Sequence, residues 1–119
     1  MSDRLDPGCL FCRIIRREAP AKVLFETPHV LAFEDAHPKA PVHALVVPKE
    51  HIASLNEASD GSEKLLAEVL LAARRVAREK GVAETGYRIV LNTGPDSGQA
   101  VFHIHFHVLG GRPLHWPPG

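Results

Sequence analysis

The chain has little that would let it grip a large charged surface or cross-link itself. Lys plus Arg and Asp plus Glu both number 14, which gives a formal charge of zero and a pI near 7.1. That balance excludes broad electrostatic capture of nucleic acid or of an anionic membrane, so any phosphate must be held locally. Cys9 and Cys12 are the only cysteines, too few for a disulfide framework. Their C-x-x-C spacing points to a metal or a redox pair. There is no run of about 18 apolar residues and no charged-then-apolar leader, so the expectation is a cytoplasmic protein without a membrane span or secretion signal. Aromatic residues are scarce, with five Phe, one Trp and one Tyr, and the eight His outnumber them. A ring that titrates near neutrality is an unusual thing to enrich in 119 residues, so the chemistry is sought among the histidines. At 13.0 kDa and 45% apolar residues the chain suits one compact domain and excludes two-domain enzymes and long repeats.

The first eight residues are polar and turn-rich, and they predict a loose N-terminal arm ahead of a single domain over residues 9–119. Leu10, Phe11, Ile14 and Ile15 recur at helical spacing, and Pro20 stops this short first helix. Lys22 to Glu26 and Val30 to Glu34 read as a hairpin around Thr27-Pro28-His29, and His43 to Val47 reads as a third strand. Asp60 and Glu63 have capping-box spacing at the start of a helix that runs to about Lys80, with Gly81 as its stop. Leu65, Leu66, Val69, Leu70, Ala73, Val76 and Ala77 make its apolar stripe. Tyr87 to Asn92 and Val101 to Leu109 are the last two strands, separated by a polar glycine loop over Gly94 to Gln99. Strands gathered around one long helix and joined by short turns predict an α+β domain with an antiparallel sheet.

His103, His105 and His107 alternate with Phe102, Ile104, Phe106 and Val108, which puts the rings on one face and the apolar side chains on the other. On a strand His103 and His107 would stand about 13 Å apart, whereas a metal–nitrogen bond is about 2 Å, so one metal does not take all three. The glycine loop just before them lets backbone N–H groups approach an anion. A phosphate beside a neutral imidazole nucleophile makes a coherent site.

The run His103-Ile-His105-Phe-His107-Val-Leu resembles the signature of the histidine triad superfamily. Phe11 to Lys22, Leu31 to Pro41, His43 to His51, Tyr87 to Asn92 and the ending Gly110-Gly111-Arg112-Pro113-Leu114-His115-Trp116-Pro117-Pro118-Gly119 resemble its Hint branch, the histidine triad nucleotide-binding proteins. The resemblance implies a five-stranded antiparallel sheet with one long and one short helix, and a homodimer whose sheets join into ten strands. It also implies purine nucleoside phosphoramidase activity on AMP or GMP conjugates. Residue by residue, His105 matches the family nucleophile, whose ring attacks the α-phosphorus. His107 and His43 match the two histidines that orient the phosphate and the nucleophile. Asn92 with the Gly98-Gln99 backbone matches the phosphate contacts. Asp35 matches the acceptor of the ribose hydroxyls, and Leu10, Phe11, Ile14, Phe33, Ala36 and Leu45 match the purine pocket. Trp116 matches a tail residue that approaches the partner subunit's site. At Ala100 many relatives carry a hydroxyl near the leaving group, so leaving-group protonation is expected to differ here.

Cys9 and Cys12, at i and i+3, can point two thiolates to one side of a helical turn. In a subset of the superfamily such a pair joins the His after Pro-Lys and the first strand histidine around a structural zinc, which here implies Cys9, Cys12, His51 and His103. Two free buried thiols and a redox dithiol are the other readings of the pair. His29 and His37 fall in turns and are assigned no role. Three other functions stay open: metal-dependent hydrolysis with His103 and His105 as an H-x-H ligand pair, dinucleoside polyphosphate hydrolysis, and a non-catalytic nucleotide-binding module.

Overall fold

The computed structural model describes residues 6–119 and holds a five-stranded antiparallel sheet. A short helix, α1 (Leu10–Ile15), precedes strands β1 (Val23–Glu26), β2 (Val30–Glu34) and β3 (Val42–Pro48). The long helix α2 (Glu63–Glu79), strand β4 (Tyr87–Val90) and strand β5 (Phe106–Gly110) follow. The strand order is β1-β2-β3-β5-β4. Thr27 builds the hairpin between β1 and β2: its N–H donates to the Val30 carbonyl at 2.8 Å, and its Oγ1 accepts from the Val30 N–H at 3.0 Å.

The central strands are buried on both faces, which is why β2 and β3 read as nearly unbroken apolar runs. Val30, Ala32, Ala44, Val46, Ile104, Phe106 and Val108 pack under Val69, Ala73, Val76 and Ala77 of α2. The alternate residues Leu31, Phe33, Leu45 and Val47 pack under Phe11, Cys12 and Ile14 of α1. Period-two alternation thus separates a structural face from a second face, which carries the chemistry.

Four expectations shift. The start of the fifth strand moves from Val101 to Phe106, because the Ile104 N–H bonds the Ile52 carbonyl at 2.7 Å instead of a ladder partner. Phe102 consequently points to solvent, 64% exposed, and the alternation of rings and apolar residues runs from His103 through Val108 only. Ser59 and Ser62 form the capping box, not Asp60 and Glu63, so a 3₁₀ turn over Asp60–Ser62 leads into α2. Leu70 lies at the edge of the α2 stripe, half exposed, while Ala72 is buried. Of the expected N-terminal arm, residues 1–5 lie outside the described residues. Asp6 to Gly8 make a turn whose Asp6 carbonyl accepts from the Cys9 N–H at 3.0 Å. Among the described residues no helix is long and apolar enough to cross a membrane.

Candidate active site

A cavity of about 700 Å³ opens on the α1 face of the sheet, within the range that holds a small-molecule ligand. Leu10, Phe11, Ile14, Phe33, Leu45 and Val101 make its apolar wall, and His105, His107, Asp35, Asn92 and Gly98 bring polar groups to it. Leu10 is 45% exposed because it faces this cavity and not the core. Ala36 and Ala100 also line it.

The register of the sheet places the imidazoles. His43 pairs with Leu109 and His107 pairs with Leu45, so the two histidines are diagonal neighbours on one face of β3 and β5. His43 Nε2 lies 2.9 Å from His107 Nδ1 and 3.3 Å from Asp35 Oδ2. The Lys39 backbone N–H donates to His43 Nδ1 at 3.0 Å, which places the proton of the neutral His43 ring on Nε2. His107 Nδ1 then accepts that proton's hydrogen bond, and the proton of His107 itself sits on Nε2. His105 Nδ1 donates to the His103 carbonyl at 2.7 Å, leaving Nε2 with its lone pair. Phe11 packs edge-on against His105 with centroids 5.1 Å apart.

Burial holds these rings in their neutral forms. Burial lowers His107 to about 4, with His105 and His43 adding to the effect. It also brings His105 below its ordinary value, against the raising effects of the His103 carbonyl and Asp35. His43 is lowered by burial as well, opposed by the charge of Asp35. At pH 7 the site therefore presents neutral imidazoles, the form that can act as a nucleophile.

The polar loop ends beside this face. Gly98 takes φ +83°, a left-handed conformation that glycine adopts without strain, and Gly98 lines the cavity. The Gln99 side chain closes the loop, with Oε1 accepting from the Gly94 N–H at 3.1 Å and Nε2 donating to the Ala53 carbonyl at 2.8 Å. Asp35 Oδ1 accepts from the His37 N–H at 2.8 Å while the residue faces the cavity. Trp116 lies outside the cavity, 79% exposed, with the Arg88 guanidinium 5.8 Å from its ring centre.

Behind His105, the four residues read as a zinc set converge. Cys12 Sγ lies 3.3 Å from His51 Nδ1, and His103 Nδ1 lies 3.5 Å from both sulfurs and 3.3 Å from His51 Nδ1. Tetrahedral ligands with bonds of about 2.0–2.3 Å stand roughly 3.3–3.8 Å apart, so these separations fit one zinc. His103 Nε2 donates to the Pro48 carbonyl at 2.8 Å, which leaves Nδ1 unprotonated toward the sulfurs. Burial lowers His103 to about 4 and raises the Cys12 thiol to about 11, an environment that favours neutral donors unless a cation is present. Asp35, His43 and His107 also converge, yet they do not fit a metal. A metal on His43 Nε2 would require the ring proton on Nδ1, where the Lys39 N–H already points.

Neutral imidazoles on the α1 face of a five-stranded antiparallel sheet, beside an apolar cavity and a glycine loop, define a histidine triad architecture. A HIT domain model matches residues 16–114, and the chain belongs to that family. It is 52% identical over 110 residues to an uncharacterized HIT-like protein of Synechococcus elongatus, covering 92% of this chain and 96% of that protein. A HIT family hydrolase from Legionella pneumophila superposes with a TM-score of 0.92 at 49% identity, covering 94% of this chain and all of that one. A histidine triad nucleotide-binding protein from Candida albicans superposes with a TM-score of 0.79 at 31% identity, covering 92% and 83%. The fold is that of the HIT family hydrolases.

The Lys39 amide went unseen in the sequence because it acts through its backbone, where the identity of a side chain carries no signal. Pro20, Ala21 and Lys22 also line the cavity, brought there by the turn after α1.

Proposed function

We propose that this protein hydrolyses purine nucleoside 5′-phosphoramidates or acyl-nucleotides through a covalent nucleotidyl-His105 intermediate, releasing a nucleoside monophosphate. The observation that carries the reading is the His105 ring, tied through Nδ1 to the His103 carbonyl and beside the cavity, with its Nε2 lone pair unspent. In the first step His105 Nε2 bonds to the α-phosphorus as the bond to the leaving group breaks; an amine departs with a proton taken from solvent, which the attacking water returns in the second step, and a carboxylate departs as the anion. His107, with its proton on Nε2, hydrogen-bonds the phosphoryl group as charge grows there. Water then attacks phosphorus, the P–N bond to His105 breaks, and the monophosphate leaves with the ring restored. Imidazole is both a competent nucleophile and a competent leaving group near pH 7, which splits one hard displacement into two easier ones.

Asp35 would accept the ribose hydroxyls and the apolar wall would take the base, a mode of binding that needs no basic patch. Cys9, Cys12, His51 and His103 would hold a structural zinc. Bound there, it would tie α1 to the segment entering β5. An H-x-H metal hydrolase is disfavoured because the Nδ1 atoms of His103 and His105 point to different partners, the thiols and a backbone carbonyl. The partly buried β4 and the half-exposed Leu70 would supply a homodimer interface, and sedimentation at micromolar concentration should give two chains per particle.

The direct test is kcat/KM for adenosine and guanosine 5′-phosphoramidates, acyl adenylates and dinucleoside polyphosphates, together with mass spectrometry of acid-quenched enzyme. Phosphoramidates or acyl adenylates should lead, and a nucleotidyl group should map to His105. Faster turnover of the polyphosphates, or no adduct in a single turnover, would overturn the reading.

A further inference from the structure

The Gly110-Gly111-Arg112 run does not touch the cavity, yet its contacts lead to the imidazole pair. Gly110 closes β5 opposite Val42, and a Cβ there would stand 3.1 Å from the Val82 side chain. Gly111 has φ +90°, and a Cβ there would come within 2.9 Å of Pro41 Cβ. Only glycine lets the chain turn back this closely over the Pro41–Val42 step. That turn delivers Arg112 to the segment between β2 and β3, where its Nη2 donates to the Lys39 carbonyl at 2.8 Å. Its Nη1 donates to the Pro113 carbonyl at 3.0 Å, which steadies the guanidinium plane.

Lys39 is the residue whose N–H sets the His43 tautomer. The bonds to its N–H and to its carbonyl lie on either side of one Cα, between Pro38 and Pro41, which each fix a backbone angle. Lys39 Nζ bonds back to the His37 carbonyl at 2.8 Å, and Asp35 Oδ1 takes the His37 N–H. Those bonds are local to the segment. Arg112, 73 residues along the chain, ties it to the end of β5, the strand that carries His107.

We propose that Arg112 is a positioning residue for the reaction. It clamps Lys39 so that the Lys39 N–H stays on His43 Nδ1, His43 Nε2–H stays on His107 Nδ1, and His107 keeps its proton on Nε2 for the phosphoryl group. Gly111, with its left-handed φ against Pro41, lets Arg112 reach that carbonyl. The inference rests on the proposed phosphoryl chemistry for its kinetic consequence, while its tautomer consequence holds without any substrate.

The test compares the full-length protein with Arg112→Ala and Arg112→Lys. ¹⁵N spectra of histidine-labelled protein should show His43 as one neutral tautomer, protonated at Nε2, in the unsubstituted protein and as a mixture in Arg112→Ala. With adenosine 5′-phosphoramidate, Arg112→Ala should lower kcat about tenfold while KM moves less than twofold, because the cavity wall is untouched. Arg112→Lys keeps one donor and should restore both readouts in large part. A single His43 tautomer in Arg112→Ala would overturn the proposal, as would a mixture with unchanged kcat, or a KM that rises as much as kcat falls. If the unsubstituted protein turns over no phosphoramidate, the activity reading fails, and the spectra still decide the role of Arg112.

Discussion

His103 and His105 are two residues apart and chemically identical, yet they stand in opposite kinds of site. His103 is fully buried, with Nε2 committed to the Pro48 carbonyl and Nδ1 turned to Cys9, Cys12 and His51. His105 commits Nδ1 to the His103 carbonyl and lines the cavity. In the proposed reading, what would separate a ligand from a nucleophile is which ring nitrogen a backbone carbonyl has claimed. The two sites also meet in one residue, because the His103 side chain belongs to the sulfur cluster and its carbonyl orients His105. A disturbance on the cluster side should therefore reach stability first and chemistry second, while one on the cavity side should do the reverse.

The sharpest way to break this contrast is His105→Ala. It should reduce turnover of a nucleoside phosphoramidate by about three orders of magnitude or more while nucleoside monophosphate still binds, since Asp35 and the apolar wall are untouched. Equilibrium binding and kcat measured side by side check this, and near-normal turnover would remove His105 as the nucleophile.

On the cluster side, protein purified without chelator should contain about one zinc per chain. Replacing Cys9 and Cys12 together by serine should remove the metal and lower the thermal midpoint. A loss of about 3 kcal/mol would be a shift of roughly 12 °C at about 4 °C per kcal/mol. The chemical rate below the transition should fall far less than in His105→Ala. A metal-free protein of unchanged midpoint would make the cluster a pair of buried thiols.

The smallest expected effect lies at the cavity itself. Ala100 lines it and offers no proton to a leaving group, so rates should depend steeply on leaving-group acidity. Acyl adenylates should outrun alkylamine phosphoramidates, and Ala100→Ser should narrow the ratio by about tenfold, or about 1.4 kcal/mol in the transition state. Equal gains on both substrates would mean that the hydroxyl only repacks the site.

Much of this arrangement is legible in the residues. The alternation from His103 to Val108 assigns the imidazoles to one face because strand geometry has period two, and Gly81 ends α2 where the helical pattern stops. Phe102 broke the pattern, since side-chain period says nothing about where a ladder begins, and the Ile52 carbonyl decides that. Ser59 and Ser62 took the cap from Asp60 and Glu63 because both pairs have the required spacing, and the approach of the chain selects one.

The sequence by itself determined which chemistry is present: imidazoles in alternation, a thiol pair at helical spacing, a glycine loop, and a balanced charge that leaves anion binding to local groups. Tertiary structure alone decided what each imidazole can do. The deciding partners are backbone atoms, the carbonyls of Pro48 and His103 and the amide of Lys39, and every residue but proline carries the same two groups. Their identity is invisible in a string of side chains, and only the packing of β3 against β5, with Arg112 folded back over Lys39, selects which of them meets a ring nitrogen.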